Sequence, residues 1–232
     1  MSVTDALAGY DGLAERLEDV RGGIAAACAA AGRDAGETTL IVVTKFHPAS
    51  LVRALAELGV TDVGENRHQE AQDKAAELAD VDVNWHYIGQ LQTKKARQAA
   101  QYASAIHSID RARLVDALAN VDRKLDVFLQ INLTDDPGRG GAAPSEIESL
   151  SEQILSAEAL NLRGVMAVAP LEEPAAEAFA RLAGYSERVR ALAPAATAIS
   201  AGMTHDYAEA IAAGATHLRI GSAITGNRPL AR

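Results

Sequence analysis

Apolar positions along this chain fall into two rhythms that alternate from end to end. Leu13, Leu17, Val20, Ile24 and Cys28 recur at spacings of three and four, so residues 10–31 predict an amphipathic helix that Gly32 closes. Residues 39–44 are instead an unbroken apolar and β-branched run, as expected of a strand buried on both faces. Lys45-Phe46-His47 reads as a loop, and Pro48 suits the first turn of a helix reaching about Leu58.

The pattern then repeats. Strands are expected over 60–63, 84–88, 105–108, 125–131, 162–167, 197–200 and 217–220. Helices are expected as far as 78, over 94–102, after Asp110 as a capping residue, from Pro144 with Ile147, Leu150 and Ile154 on one face, over 174–192 and over 207–213. Gly64-Glu65-Asn66 reads as a loop, and residues 135–141 are the most loop-like segment of all. Eight strands alternating with eight helical segments predict an α/β fold. It is a single (β/α)8 TIM-type barrel over residues 1–232 with an extra N-terminal helix. An open doubly wound sheet is the competitor, but no G-x-G-x-x-G follows the first strand.

Composition narrows the partners. A net charge of −9 argues against a nucleic-acid ligand, whose phosphates need clustered Lys and Arg. No apolar run approaches the roughly 20 residues of a membrane span, and residues 1–11 lack the pattern of a signal peptide. Cys28, the only cysteine, excludes an internal disulfide and reads as a small buried apolar residue. A cytoplasmic monomer is the expectation. The six histidines show no metal-ligand spacing, so no metal site is expected.

In such barrels, chemistry gathers at the carboxyl ends of the strands. The residues expected there are Lys45, Asn66, His86, Ser108, Asn132, Met166, Ser200 and Arg219 with Gly221. A lysine after five apolar residues is either a rim residue reaching solvent or a partly desolvated amine suited to imine formation with an aldehyde. Spacing alone leaves both open for Lys45. Gly221-Ser222 and Ser200-Ala201-Gly202-Met203 follow the last two strands, where phosphate sites are often built. Arg219 keeps its proton at any accessible pH. Facing a pyridine nitrogen it would donate a hydrogen bond without protonating the ring, leaving a poor electron sink. Asn66 has an amide able to reach a ring oxygen, and His86 reads as a satisfied interior group.

These segments resemble the pyridoxal phosphate homeostasis proteins, whose barrel is that of the alanine racemase N-terminal domain. The matching stretches are Val42-Val43-Thr44-Lys45, Gly64-Glu65-Asn66 with Gln69-Glu70-Ala71, Trp85-His86-Tyr87-Ile88-Gly89-Gln90-Leu91-Gln92, Gly164-Val165-Met166, Ser200-Ala201-Gly202-Met203 and Arg219-Ile220-Gly221. The resemblance implies pyridoxal 5′-phosphate held as a Schiff base on Lys45, its ring nitrogen facing Arg219 and its phosphate near Ser200, Gly202, Met203, Gly221 and Ser222. Asn66, His86 and Met166 complete the implied cofactor site. It further implies a non-catalytic role in storing or delivering the cofactor, with apo PLP-dependent enzymes as recipients. Two departures stand out: Arg67 occupies a position where relatives often carry tyrosine, and the loop 135–141 lacks their Lys-x-Gly element. A racemase-type enzyme is the alternative. It would need a second base across the ring, and of the five tyrosines only Tyr207 is expected near the rim. A Schiff-base aldolase acting on a sugar phosphate also suits the same lysine and loops.

Overall fold

Parallel strands need crossover connections, and each helical segment here supplies one. The structure, a computed structural model, describes residues 7–136 and 138–226. Residues 1–6, within the stretch searched for a signal peptide, and Pro137 of the loop 135–141 lie outside the described residues. The strands are β1 (Thr39–Val43), β2 (Asp62–Glu65), β3 (Asn84–Tyr87), β4 (Ala105–Ile109), β5 (Leu125–Gln130), β6 (Leu160–Met166), β7 (Ala198–Ser200) and β8 (His217–Ile220). They pair in that order as a closed parallel barrel, sealed where β8 meets β1 with Val42 opposite Ile220. The helices are α1 (Leu13–Ala30), α2 (Ala49–Glu57), α3 (His68–Glu77), α4 (Ala96–Tyr102), α5 (Ala112–Leu118), α6 (Ile147–Ser156), α7 (Ala175–Leu192), α8 (Tyr207–Ala212) and α9 (Ser222–Thr225). The (β/α)8 architecture with its additional N-terminal helix is thus as the periodicity predicts. Among the described residues no helix is long and apolar enough to cross a membrane.

α1 buries the stripe read from the sequence, Leu13, Leu17, Val20, Ile24 and Cys28. It packs on α8 and α9, and Arg16 Nε donates to the Ile224 carbonyl at 2.8 Å. A large apolar layer fills the space between sheet and helices, while a small separate cluster of Ala105, Phe128, Met166 and Ala198 lies apart from it. That small cluster is the barrel interior. His107 on β4 stacks on Phe128 and bonds Ser200 on β7, a strand it does not neighbour.

Three expectations shift. β2 runs through Gly64 and Glu65, which the sequence reads as loop. A side chain at Gly64 would crowd Ile41 Cγ2 at 3.0 Å and Ile88 Cδ1 at 3.2 Å, so glycine here serves packing rather than a turn. Asp110 does not cap α5: Arg111 holds the N-cap position without a side-chain bond, and its guanidinium takes up the Asp110 carboxylate. β6 begins at Leu160 rather than 162, with Leu160 paired to Leu125.

Candidate functional site

The rim is built from neighbours in the barrel. β7, β8, β1 and β2 are consecutive around the sheet, and their carboxyl ends carry Gly202 and Met203, Gly221 and Ser222, Lys45, and Asn66. Several of the residues singled out from the sequence are therefore gathered on one arc of the mouth. Thr44 N–H donates to the Gly64 carbonyl at 3.0 Å, which seats the Lys45 turn beside Glu65 and Asn66. On the other side, a Cβ at Gly221 would lie 3.4 Å from the Val43 carbonyl, so the turn after β8 hugs the end of β1.

Lys45 is half-buried, and among the described residues no hydrogen bond or ion pair takes up its amine. Its neighbour Phe46 has φ 69°, a left-handed conformation that costs a non-glycine residue about 1–2 kcal/mol. A buried charged cluster holds this turn. Phe46 N–H donates to Glu70 Oε1, and Lys74 Nζ bridges Glu70 at 2.8 Å, Glu65 at 2.6 Å and the Thr44 carbonyl at 2.8 Å. Thr44 Oγ1 donates to the same Glu65 oxygen at 2.7 Å. Burial pushes the Glu65 carboxyl up, although Lys74 and Thr44 favour its ionised form. Burial, then Lys74, hold the His47 imidazole below its ordinary value, beside the same turn.

Arg219 lies inside the barrel, 5% exposed. Nη1 donates to Ser200 Oγ at 2.6 Å and Nη2 to the Ala167 carbonyl at 2.8 Å, so the guanidinium spans from β8 across β7 to the end of β6. Burial brings it down to about 10, with Asp206 opposing, and it stays charged at neutral pH.

The remaining expected residues divide. Met166 is 2% exposed and packs with Phe128 in the barrel interior rather than at the rim. His86 has both ring nitrogens engaged, Nε2 with Asp62 at 2.8 Å and Nδ1 with His107 at 2.9 Å, so it too sits below the mouth. Two groups expected at a phosphate are already occupied: Ser200 Oγ by Arg219 and His107, and Met203 N–H by Asp206. Gly202 carries φ 90°, and a Cβ there would press on Ala210 at 2.8 Å. Among the described residues, the Asn66 side-chain oxygen is buried without a hydrogen-bond partner. Ser108 is likewise buried and unpartnered, and Asn132 pins the loop after β5, its Nδ2 donating to the Asp136 carbonyl at 2.8 Å. Asp62, Lys74 and Glu70 were not legible as site residues, and Glu65 and His107 were read as a loop residue and a strand residue. Only the Glu70–Lys74 spacing of four hinted at a pair.

The sequence model of the alanine racemase N-terminal domain family matches residues 23–229. The pyridoxal phosphate homeostasis protein of Corynebacterium glutamicum is 41% identical over 215 residues, covering 86% of this chain and 94% of the relative. That of Mycobacterium tuberculosis is 38% identical over 241 residues, covering 94% and 93%. This chain belongs to the pyridoxal phosphate homeostasis protein family. Among solved structures, PipY of Synechococcus elongatus with PLP bound superposes on it with a TM-score of 0.79 and 34% identity, covering 92% of this chain and all of that one. The Lys45 turn, Gly202, Arg219 and Gly221 all fall within the residues matched by the family model.

Proposed function

We propose that this protein binds pyridoxal 5′-phosphate on Lys45 and acts in the cytoplasm as a store or donor of the cofactor, without catalytic turnover. The observation that carries the reading is a buried guanidinium set beneath a rim lysine: among the described residues no carboxylate is bonded to the guanidinium, and the lysine amine, 6.0 Å from the centre of the Phe46 ring, makes no hydrogen bond or ion pair. When bound, the cofactor would supply an aldehyde carbon as the electrophile, and Lys45 Nζ is the amine that would hold it. The protein's own groups do the rest. Arg219 retains N–H groups beyond the two it spends on Ser200 and Ala167, and these donate to a ring nitrogen without surrendering a proton. The unpartnered Asn66 amide end is available to a polar ring substituent. The first turn of α9 at Ser222 offers backbone N–H groups to a phosphate, since the first N–H groups of a helix lack internal acceptors, while Gly202 and Gly221 let the two flanking turns pack closely on Ala210 and Val43. Ser200 and Met203 serve this end by shape, their polar groups being taken.

The position of the tyrosines favours a binder over a racemase. Tyr207, the tyrosine expected near the rim, lays its hydroxyl against Gly23 of α1, on the outer side of the barrel. Tyr87 donates to the carbonyls of Asn66 and Gln90 at 3.2 Å, and burial raises its pKa, which suits it poorly to a base. The lone buried Cys28 suits a reducing compartment. We expect the purified protein to take up pyridoxal 5′-phosphate and turn yellow, with one cofactor fixed to Lys45 after borohydride reduction and peptide mass analysis. Lys45→Ala removes the colour and the adduct. No D-alanine forms from L-alanine under the same conditions. A wild-type protein that stays colourless refutes the binding, and measurable racemisation refutes the non-catalytic role.

A further inference from the structure

The interior of the barrel carries a continuous polar chain. Asp62 at the start of β2 meets His86 on β3, His86 meets His107 on β4, His107 meets Ser200 at the end of β7, and Ser200 meets Arg219 on β8. The four links measure 2.8, 2.9, 2.8 and 2.6 Å. Most of these groups are nearly or fully shut off from solvent: Ser200 and His107 are 0% exposed, Arg219 5% and His86 7%. The rest of a parallel barrel core is normally branched aliphatic packing. A polar file through it must be satisfied at every member to be tolerated.

Donor and acceptor chemistry gives the file one direction. Arg219 can only donate, so Ser200 Oγ accepts from it. The Ser200 hydroxyl proton then has the His107 ring as its acceptor, and His107 Nδ1 is unprotonated. His107 Nε2–H donates to His86 Nδ1, and His86 Nε2–H donates to the Asp62 carboxylate. The reverse polarity would strand a serine proton in a fully buried position, at a cost of about one unmade hydrogen bond. Burial, with the neighbouring His86 and the positive Arg219, keeps His107 well below its ordinary value, which agrees with a ring that holds a single proton. Asp62 anchors the far end. Burial alone would raise its carboxyl, but the bonds from His86 and Thr61 outweigh that and hold it down.

We propose that Asp62, His86, His107 and Ser200 are positioning residues that fix the Arg219 guanidinium through one directional hydrogen-bond chain, so that the group facing the cofactor ring is oriented from the opposite end of the barrel. This rests on the function proposed above. The chain gives the guanidinium a fixed, polarised hydroxyl as its partner, and the far end of the file supplies the final acceptor at Asp62.

Two measurements test it. In the cofactor-free protein, nitrogen-15 NMR of the imidazoles reads the polarity directly. At about pH 8 both His86 and His107 should carry their proton on Nε2, and His107 should keep Nδ1 bare as pH falls from there to about 6. A His107 protonated at Nδ1 in that range overturns the proposal. In the cofactor-loaded protein, Asp62→Leu removes the final acceptor, whereas Asp62→Asn keeps an oxygen there. The first should shift the absorption maximum of the bound cofactor and speed its release about tenfold, and the second should leave both near wild type. Should Asp62→Leu fail to fold, His107→Phe, which keeps the ring stacked on Phe128, is expected to give the same shift. Folded Asp62→Leu or His107→Phe protein with wild-type absorption and release overturns the proposal while leaving the cofactor site standing. A wild-type protein that never binds the cofactor removes the function itself, whatever the NMR shows.

Discussion

Single residues set the tolerances of this site. Gly89 packs so closely on the backbone of Asn66 that any Cβ would collide with the Asn66 carbonyl. That carbonyl also accepts the Tyr87 hydroxyl at 3.2 Å. Gly89→Ala must push the Asn66 segment away from the rim. The expected cost is about 1–3 kcal/mol in urea unfolding, typical of overpacking, together with weaker uptake of pyridoxal 5′-phosphate. Unchanged stability would show that the Asn66 backbone yields freely. Glycines with this role look ordinary in a sequence. Gly89 reads as a strand terminator, and only the closeness of a neighbouring chain reveals the reason for it.

At the scale of elements, β1, β2 and α3 are tied by charge as well as by apolar contact. Glu65 is 1% exposed and Lys74 6%, and the pair supports the left-handed turn that presents Lys45. Removing one member of a buried pair strands the other, at about 3–5 kcal/mol. Lys74→Met is therefore expected to lower stability by about that much and to slow adduct formation on Lys45. The double change Lys74→Met with Glu65→Gln should recover much of the stability, because the remaining charge, on Glu70, is 22% exposed rather than fully buried, but not the ordered turn. Chemical denaturation and the rate of colour development separate the two effects. If the double variant is no more stable than the single, ion pairing is not what the cluster contributes.

For the whole molecule, the barrel interior makes stability depend on acid. His217 is drawn down to about 4 by burial and then by His86, and His107 lies well below its ordinary value. A histidine whose folded pKa is depressed binds fewer protons folded than unfolded. Its contribution is complete above about 6.5 and is lost as pH falls toward the folded value. For His217 the window runs from 6.5 down to about 4, worth about 3 kcal/mol. The raised Glu65 carboxyl works in the opposite sense, so the two histidines together are needed to set the sign. Thermal unfolding should show Tm falling steadily between pH 7 and pH 5, and His217→Leu should flatten the slope. A flat wild-type profile over that range would mean that these rings do not lose solvation on folding.

Local periodicity was enough to read the order and kind of the elements, because a strand or a helix face is decided by neighbours a few residues apart. Lys45, Asn66 and Gly221 were legible as rim positions for the same reason: each lies just beyond a strand-like stretch, and barrel topology sends such positions to one rim. Arg219 was legible as functional but not as part of a chain. A strand buried on both faces gives no alternation, so nothing in Asn84-Trp85-His86-Tyr87 says which ring turns into the barrel. The partners of His86, His107 and Ser200 in the file lie 19 to 93 positions away along the chain. Only closure of the sheet, which brings β4 opposite β7, joins them. Sequence thus determined which residues gather at the carboxyl rim of the barrel, and tertiary structure alone decided which polar groups face one another inside it, because those pairings depend on inward orientation and cross-barrel distance.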